Sequence, residues 1–195
     1  MVFIASAAAF NTNFPLLPGG KNEGEQISEQ DSPFMSEESP PYAQAKFIAN
    51  QTVEKFLADH SNLSFEIVTI SLVGVMGKAL SPREDSTSMG IQYLFKNKIA
   101  PNPFIQMFFD NDVDWGIIDL ADVAEGVYQA GITKGIHGRN YLLSSESYPI
   151  SDVTLMLNFQ EPVGEPKIVY RNDLAKNELG IHFTPARVPL SEFSK

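Results

Sequence analysis

Short apolar runs recur along the chain and predict its strands. Runs of this kind lie at Val2–Ala5, Phe65–Val75, Trp115–Ile118 and Tyr141–Leu143. Each is bounded by polar or turn-forming residues, and Phe65–Val75 is rich in β-branched side chains, as buried parallel strands are. Ile105–Phe109 is similarly apolar and is predicted as a further strand.

Between these runs the apolar residues follow helical spacing. Helices are predicted at Tyr42–Asp59, Pro82–Lys96, Ala121–Gly131, Ile150–Asn158 and Asp173–Leu179. Apolar residues recur at three- and four-residue steps along the first helix and predict one buried face: Ala45, Ile48, Ala49, Val53, Phe56 and Leu57.

Local capping signals support three of the helices. Pro40 and Pro41 precede the first helix, where proline is accepted because the first-turn N–H has no helical partner. Asp119 is predicted to cap the helix near Ala121, with Asp122 favouring the positive end of the helix dipole. Asn172 and Gly180 are predicted to cap and stop the short helix Asp173–Leu179.

Strands that alternate with helices predict an α/β fold with a parallel sheet. The long segment Asn11–Ser39 is instead rich in Asn, Gly, Pro, Glu and Ser, and is predicted to be a loop. Loops of this length in compact domains usually serve a function. The chain thus combines a parallel sheet with one unusually long connection.

Composition and charge exclude several partners. A net charge of −10 disfavours nucleic acid and anionic membranes, although a single nucleotide could still bind locally. The chain has no cysteine, which excludes disulfides and thiolate zinc sites and agrees with a cytoplasmic location. Asp110, Asp112 and Asp114 alternate like a calcium loop but lack its terminal glutamate, so a turn before a strand is predicted and no metal is expected.

The first nine residues admit a second interpretation. Met1–Ala9 is apolar and ends in small residues, as a signal peptide does. It lacks a basic beginning, however, and its apolar run is short. A buried strand is therefore favoured over a signal peptide.

Tyr42 and Lys46 carry the clearest chemical signal. Positions i and i+4 lie on the same face of a helix, so the phenol and the ammonium can converge. A free phenol ionises near pH 10, and a neighbouring ammonium generally favours the phenolate. Such a tyrosine can exchange a proton with a substrate oxygen. The spacing alone also arises by chance, but here it follows a Pro-Pro helix start and precedes a buried strand.

Four segments in order resemble the extended short-chain dehydrogenases/reductases, which include NAD-dependent epimerase/dehydratases and dihydroflavonol-reductase-like enzymes. Val2–Ala7 is similar to the family strand that ends in a catalytic serine, and Tyr42–Lys46 to the Y-x-x-x-K motif. Val68–Gly77 resembles the next strand with its glycine-containing exit. Ile118–Ala124 resembles the strand-to-helix turn after the substrate region. The terminal part, around Asp173–Phe183, is also similar, so the resemblance covers nearly the whole chain.

The resemblance implies a Ser-Tyr-Lys site and a nicotinamide cofactor, NAD or NADP. Tyr42 would be the general acid/base, and Lys46 would favour its phenolate and bind the nicotinamide ribose hydroxyls. Ser6 would orient the substrate oxygen against Tyr42. Leu72, Val73, Gly74 and Val75 would line the cofactor near its nicotinamide end, together with Tyr42 and Lys46.

Two departures from the family pattern matter. The family usually has proline at the position of Leu72. Members also begin with a strand and a G-x-x-G-x-x-G turn that holds the pyrophosphate, and this chain has no such motif. Neither Gly19-Gly20 nor Gly74-x-x-Gly77 fits that turn. The chain is therefore expected to be a truncated portion that would not bind a dinucleotide in the usual way by itself.

The resulting prediction is a partial doubly wound parallel, Rossmann-like sheet with a small carboxy-terminal substrate lobe. Residues 1–77 and 117–138 would form the sheet domain, and residues 78–116 and 139–195 the lobe. The function that the resemblance implies is that of an NAD(P)-dependent ketone/secondary alcohol reductase of the dihydroflavonol-reductase-like type, which would use the Ser-Tyr-Lys site on a small-molecule substrate. A homodimer is expected by the same resemblance. The alternatives are a sugar-nucleotide epimerase/dehydratase, a non-catalytic binding module, or assembly with a separate amino-terminal chain.

Overall fold

The computed structural model describes residues 1–17, 21, 22, 24–31, 35–79, 81 and 85–193. The Gly19-Gly20 pair and the predicted helix start at Pro82 lie outside these residues. The described strands are β1 Val2–Ser6, β2 Val68–Leu72, β3 Gly74–Met76, β4 Asp114–Asp119, β5 Asn140–Leu143 and β6 Glu146–Pro149. The described helices are α1 Pro41–Asp59, α2 Thr87–Asn97, α3 Pro103–Asp110, α4 Leu120–Ile132, α5 Ile150–Leu157, α6 Asp173–Leu179 and α7 Arg187–Phe193.

The first sheet has the order β1-β2-β5, and all its strands are parallel. This confirms the predicted α/β class. Ser6 pairs in register with Leu72, so the carboxyl ends of β1 and β2 meet at one edge of the sheet. Strand β1 is less buried than its sequence predicts, since Ile4 is 46% exposed while Ile70 beside it is fully buried. The reason is that β1 is the edge strand in the described part of the chain.

The predicted strand Phe65–Val75 is wrong in its extent, because it contains two strands that belong to different sheets. Val73 separates β2 from β3, and its N–H donates to the carbonyl of Leu143. After Val73 the chain changes partners, and β3 pairs in parallel with β4. Strand β6 completes this second sheet by pairing with β4 in antiparallel fashion. The sequence pattern did not predict β6, a short strand that carries Glu146, Ser147 and Pro149.

The predicted strand Ile105–Phe109 is wrong, because these residues lie in α3. Asn102 begins this helix by accepting a hydrogen bond from the N–H of Ile105 at 3.0 Å, and Pro103 occupies the first turn. Ile105 and Phe108, three residues apart, face the core. Helix α7 was also not predicted; it contains Pro189, a residue that disfavours helices.

Helix α1 is confirmed, but its predicted apolar face is only partly correct. Ala43 and Asn50 are the buried residues of the helix, whereas Ala45, Ile48 and Phe56 are exposed. Asn50 accepts a hydrogen bond from the side chain of Asn140 on β5 at 3.0 Å. A polar contact with the sheet therefore fixes the rotation of this helix.

Two of the predicted caps are confirmed. Asp119 accepts from the N–H of Ala121 at 2.6 Å at the start of α4, and Gly180 ends α6 with φ of +69°. Asn172 was predicted to cap α6 but makes no capping bond. Its buried side chain instead donates to the carbonyl oxygens of Ser144 and Ser145, which join α6 to the end of β5.

The long segment between Phe10 and Pro40 contains no helix or named strand among its described residues, as predicted. Ile27 within it is fully buried and forms an isolated bridge with Tyr170. Three apolar clusters of described residues underlie the fold. One surrounds β2 and β5, the second lies between β4, α2, α3 and α5, and the third joins Phe10, Ile27 and Tyr170 to Leu142 of β5. No described helix is both long and apolar enough to span a bilayer.

Candidate active site

A cavity of about 500 Å³ opens at the carboxyl ends of β1 and β2. In open parallel sheets this edge is where ligands bind, because loops diverge there and leave a crevice. Ser6, Tyr42 and the whole segment Leu72–Val75 line it. The structure thus brings together every residue of the predicted site except Lys46, which does not line the cavity itself.

Ser6 is held at the last position of β1. Its hydroxyl oxygen accepts from the N–H of Ala8 at 3.2 Å and so caps the 3₁₀ turn Ala7–Ala9. Its own O–H donates to no acceptor among the described residues. A largely buried hydroxyl with a free proton is suited to donate to a substrate oxygen.

Tyr42 lies in the first turn of α1, immediately after the two prolines. Its side chain is 53% exposed and reaches the cavity. Lys46, one turn further, places its ammonium Nζ over the Tyr42 ring, 5.5 Å from the ring centroid. This is a cation–π distance. Among the described residues Lys46 forms no ion pair, so its ammonium remains available to a ligand at the mouth of the cavity.

The segment Leu72–Val75 crosses from the first sheet to the second and forms one wall of the cavity. Gly74 allows the closest approach in this wall. A Cβ atom there would lie 2.4 Å from Nε1 of Trp115. The indole therefore packs directly over the glycine backbone. Its N–H is buried and has no acceptor among the described residues.

The cavity is also lined by an aromatic surface that the sequence did not reveal. We call it the aromatic wall, and it consists of Phe14, Phe104, Phe108 and Trp115. Phe14 comes from the long loop, Phe104 and Phe108 from α3, and Trp115 from β4. Phe14 contacts the other three rings at centroid distances of 6.4, 5.7 and 5.8 Å. The sequence placed Trp115 only in the predicted strand Trp115–Ile118. The i, i+4 spacing of Phe104 and Phe108 was the available signal, and the incorrect strand prediction concealed it.

Asp114 is the one formally charged residue among the described residues that line the cavity. Its carboxylate accepts from Nζ of Lys167 at 2.9 and 3.0 Å, and the pair is partly exposed. Tyr170 also lines the cavity, and complete burial raises the pKa of its phenol. As predicted, a turn at Asp112 (φ of +42°) precedes β4, and Asp112 accepts from the backbone and hydroxyl of Ser151.

The residues present fit one end of a nicotinamide dinucleotide. Leu72–Val75, Ser6 and Tyr42 are the lining residues that would hold a nicotinamide, and Lys46 forms no ion pair with the described residues. For the pyrophosphate, the described residues offer no glycine-rich turn that leads from a strand into a helix. Gly77 leaves β3 with φ of +113°, but its N–H already donates to Gln92.

No protein-family model matches this chain, and no curated protein matches it. Solved structures do resemble it. Yeast methylglyoxal/isovaleraldehyde reductase Gre2, complexed with NADPH, shares 19% identity with a TM-score of 0.73, and the match covers 99% of this chain and 61% of that one. Gre2 of Candida albicans with NADPH shares 18% identity with a TM-score of 0.75, covering 98% and 61%.

MoeE5 in complex with UDP-glucuronic acid and NAD shares 15% identity with a TM-score of 0.66, covering 98% of this chain and 62% of that one. This chain therefore spans about three-fifths of the length of these proteins. Over that length it has their fold, a Rossmann-like parallel sheet flanked by helices, and the fold implied by the sequence resemblance is confirmed.

Proposed function

We propose that this chain is the catalytic and substrate-binding part of an NAD(P)-dependent oxidoreductase that interconverts a ketone and a secondary alcohol. One observation carries the proposal. The cavity at the carboxyl ends of β1 and β2 contains Ser6 and Tyr42, and Lys46, which forms no ion pair within the described part of the chain, lies one helical turn away. The fold is shared with solved reductases that bind NADPH.

In this proposal the chemistry that a bound nicotinamide cofactor would supply is transfer of a hydride to the carbonyl carbon, with oxidation of the reduced nicotinamide. Ser6 donates its free O–H to the carbonyl oxygen and holds it in place. Tyr42 donates its phenolic proton to the same oxygen as negative charge develops there, which completes the secondary alcohol. Lys46 binds the ribose hydroxyls of the cofactor and stabilises the phenolate that remains. In the oxidative direction the same groups act in reverse.

The cofactor is NAD or NADP, and the chain's own residues contact its nicotinamide half. We propose that residues 1–77 and 117–138 hold this half, and that residues 78–116 and 139–195 supply most of the substrate wall. Within that division β5 belongs structurally to the first sheet, beside β2. The absence of cysteine supports a cytoplasmic location.

A homodimer through α1 is part of the same proposal. This helix has an exposed apolar stripe, which consists of Ala45, Ile48 and Phe56 at spacings of three and eight residues. Apolar stripes of this kind are typical of helix-to-helix contacts. Sedimentation of the Ile48→Glu and Phe56→Glu variants against the unaltered chain would reveal the dimer as a loss of mass.

The enzyme assay follows ketone-dependent oxidation of NADPH, and separately of reduced nicotinamide mononucleotide. The mononucleotide requires contacts only at the end of the cofactor that this chain is proposed to bind. Replacement of Tyr42 by Phe is expected to lower kcat by about 10² to 10⁴, the usual contribution of a general acid. Tyr128→Phe is the matched control, because Tyr128 is 59% exposed on α4, away from the cavity. Equal rates for Tyr42→Phe and the unaltered chain would contradict the proposal, as would no oxidation of either donor with any ketone.

A further inference from the structure

We propose that the aromatic wall selects an uncharged ketone whose carbonyl group is joined to an aromatic ring through a short chain. Phe14 and Phe104 are the residues that determine this specificity. The inference rests on the proposed function, since it concerns the substrate of that same cavity. It names the part of the substrate that lies away from the reacting carbonyl.

The rings of the wall are arranged to receive another ring. Phe104 meets Phe108 edge to face at 5.3 Å, and Phe108 meets Trp115 in the same manner at 5.5 Å. Edge-to-face pairs leave ring faces and edges open to a further aromatic partner. Phe104 is 37% exposed, and Phe14 and Trp115 are partly exposed.

Phe95 provides a comparison within the same cluster. It contacts Phe108 and Trp115 at 5.9 and 5.3 Å but is completely buried and does not line the cavity. Phe95 therefore serves packing. Phe14, Phe104 and Trp115 differ from it because they are partly exposed and line the cavity, where a ligand would cover them, whereas Phe108 lines the cavity from a buried position.

Charge argues against a nucleotide-linked substrate. Recognition of a diphosphate needs arginine, lysine or an open helix N-terminus. Among the described residues that line the cavity, the charged one is a carboxylate, Asp114. The starts of α2 and α3 reach the cavity, but each is capped by its own side chain: Ser86 accepts from Met89, and Asn102 from Ile105. An uncharged ligand meets no electrostatic penalty here.

Shape and hydrogen bonding complete the assignment. Cavities of about 300–1,000 Å³ hold ligands of drug-like size, and this one, at about 500 Å³, has room for a nicotinamide ring and a small aryl ketone. Ser6 and Tyr42 provide the donors for the carbonyl oxygen. The aromatic wall provides the surface for the ring.

Trp115 is the single tryptophan of the chain, so its fluorescence reports directly on this cavity. The experiment titrates the chain, with and without NADP⁺, with three probes. These are benzylacetone, which is an uncharged ketone with a phenyl ring, its analogue with cyclohexyl in place of phenyl, and UDP-glucose. Benzylacetone is expected to bind about three- to tenfold more tightly than the cyclohexyl ketone, the usual contribution of an aromatic pair beyond area. UDP-glucose is expected not to compete.

Phe104→Ala is expected to remove the preference for phenyl over cyclohexyl, and Phe65→Ala is the control, since Phe65 is 47% exposed and does not line the cavity. The comparison of the ketones needs no variant, so it stands even where Phe104→Ala does not fold.

Equal binding of the two ketones, no binding of either, or tighter binding of UDP-glucose would overturn the inference. Binding needs no hydride transfer. Tighter binding of the phenyl ketone without any ketone reduction would therefore contradict the proposed function alone. Ketone reduction with equal binding of the phenyl and cyclohexyl ketones would contradict this inference alone.

Discussion

A methyl group added at Gly74 would collide with the indole of Trp115. The Cβ of an alanine there would lie 2.4, 2.5 and 2.6 Å from three indole atoms, whereas ordinary contacts begin at 3.4 Å. The indole would have to move by about 1 Å to restore a normal contact. Phe14, Phe95 and Phe108 contact it at centroid distances of 5.8, 5.3 and 5.5 Å, so the indole has room to move only on the side that lines the cavity.

Overpacking of this kind usually costs about 1–3 kcal/mol. Alanine also restricts the unfolded chain, which offsets about 0.4–1 kcal/mol of that loss. Gly74→Ala is therefore expected to lower the free energy of unfolding by about 1–2 kcal/mol, and Tm by about 2–8 °C for a chain of this size. Urea unfolding and thermal melts, both followed by the emission of Trp115, measure the change.

Gly90→Ala is the matched control. Gly90 lies on the exposed side of α2, where an added Cβ meets nothing within 4 Å. There alanine is expected to stabilise by about 1 kcal/mol through helix propensity. The same substitution thus has opposite signs at the two positions. A Gly74→Ala variant as stable as the unaltered chain, with unchanged Trp115 emission, would refute the packing described for the cavity.

Three further predictions concern carboxylates, of which Glu29 is partly buried and Asp119 and Asp122 are buried. Burial raises the pKa of the Glu29 carboxyl above its ordinary value of 4.5, so the stability contributed by the protonated carboxyl is complete below pH 4.5 and is lost as pH rises through the raised pKa. Glu29→Gln should flatten this decline in urea unfolding, and parallel pH profiles of the variant and the unaltered chain would contradict the prediction. Asp119→Ala removes the cap of α4 and is expected to cost about 1 kcal/mol in thermal unfolding. Asp122→Ala should cost about 3 kcal/mol, because this 7% exposed carboxylate accepts from both the N–H and the hydroxyl of Thr184. For both aspartates the control is the exposed Asp59→Ala, expected within about 0.5 kcal/mol, and an equally small loss at Asp122 would contradict the prediction.

Features set by neighbouring residues were predictable from the sequence. The cap at Asp119 and the stop at Gly180 depend on a few adjacent positions, and the structure confirms both. The Tyr42–Lys46 pair also follows from spacing along one helix. Ile105–Phe109 failed because a short apolar run suits either a strand or a helix, and the deciding residues, Asn102 and Pro103, lie outside the run.

Features set by distant pairing were not predictable. Phe65–Val75 has the composition of one strand throughout, and the break at Val73 arises because β4 lies beside its second half. The aromatic wall likewise joins rings from positions 14, 104, 108 and 115, which come together only when both sheets have formed. The motifs therefore located Ser6, Tyr42 and Lys46, whereas the aromatic wall could be found only from the structure.

We propose that Ser6, Tyr42 and Lys46 bind the nicotinamide half of the cofactor. Calorimetric titration of the chain with reduced nicotinamide mononucleotide tests it most directly, with Lys46→Ala as the variant and Lys55→Ala, an exposed lysine of the same helix, as the control. We expect saturable binding that weakens about ten- to a hundredfold in Lys46→Ala, because charged hydrogen bonds are lost, and that is unchanged in Lys55→Ala. Binding that is equal in the two variants, or absent in the folded unaltered chain, would contradict it.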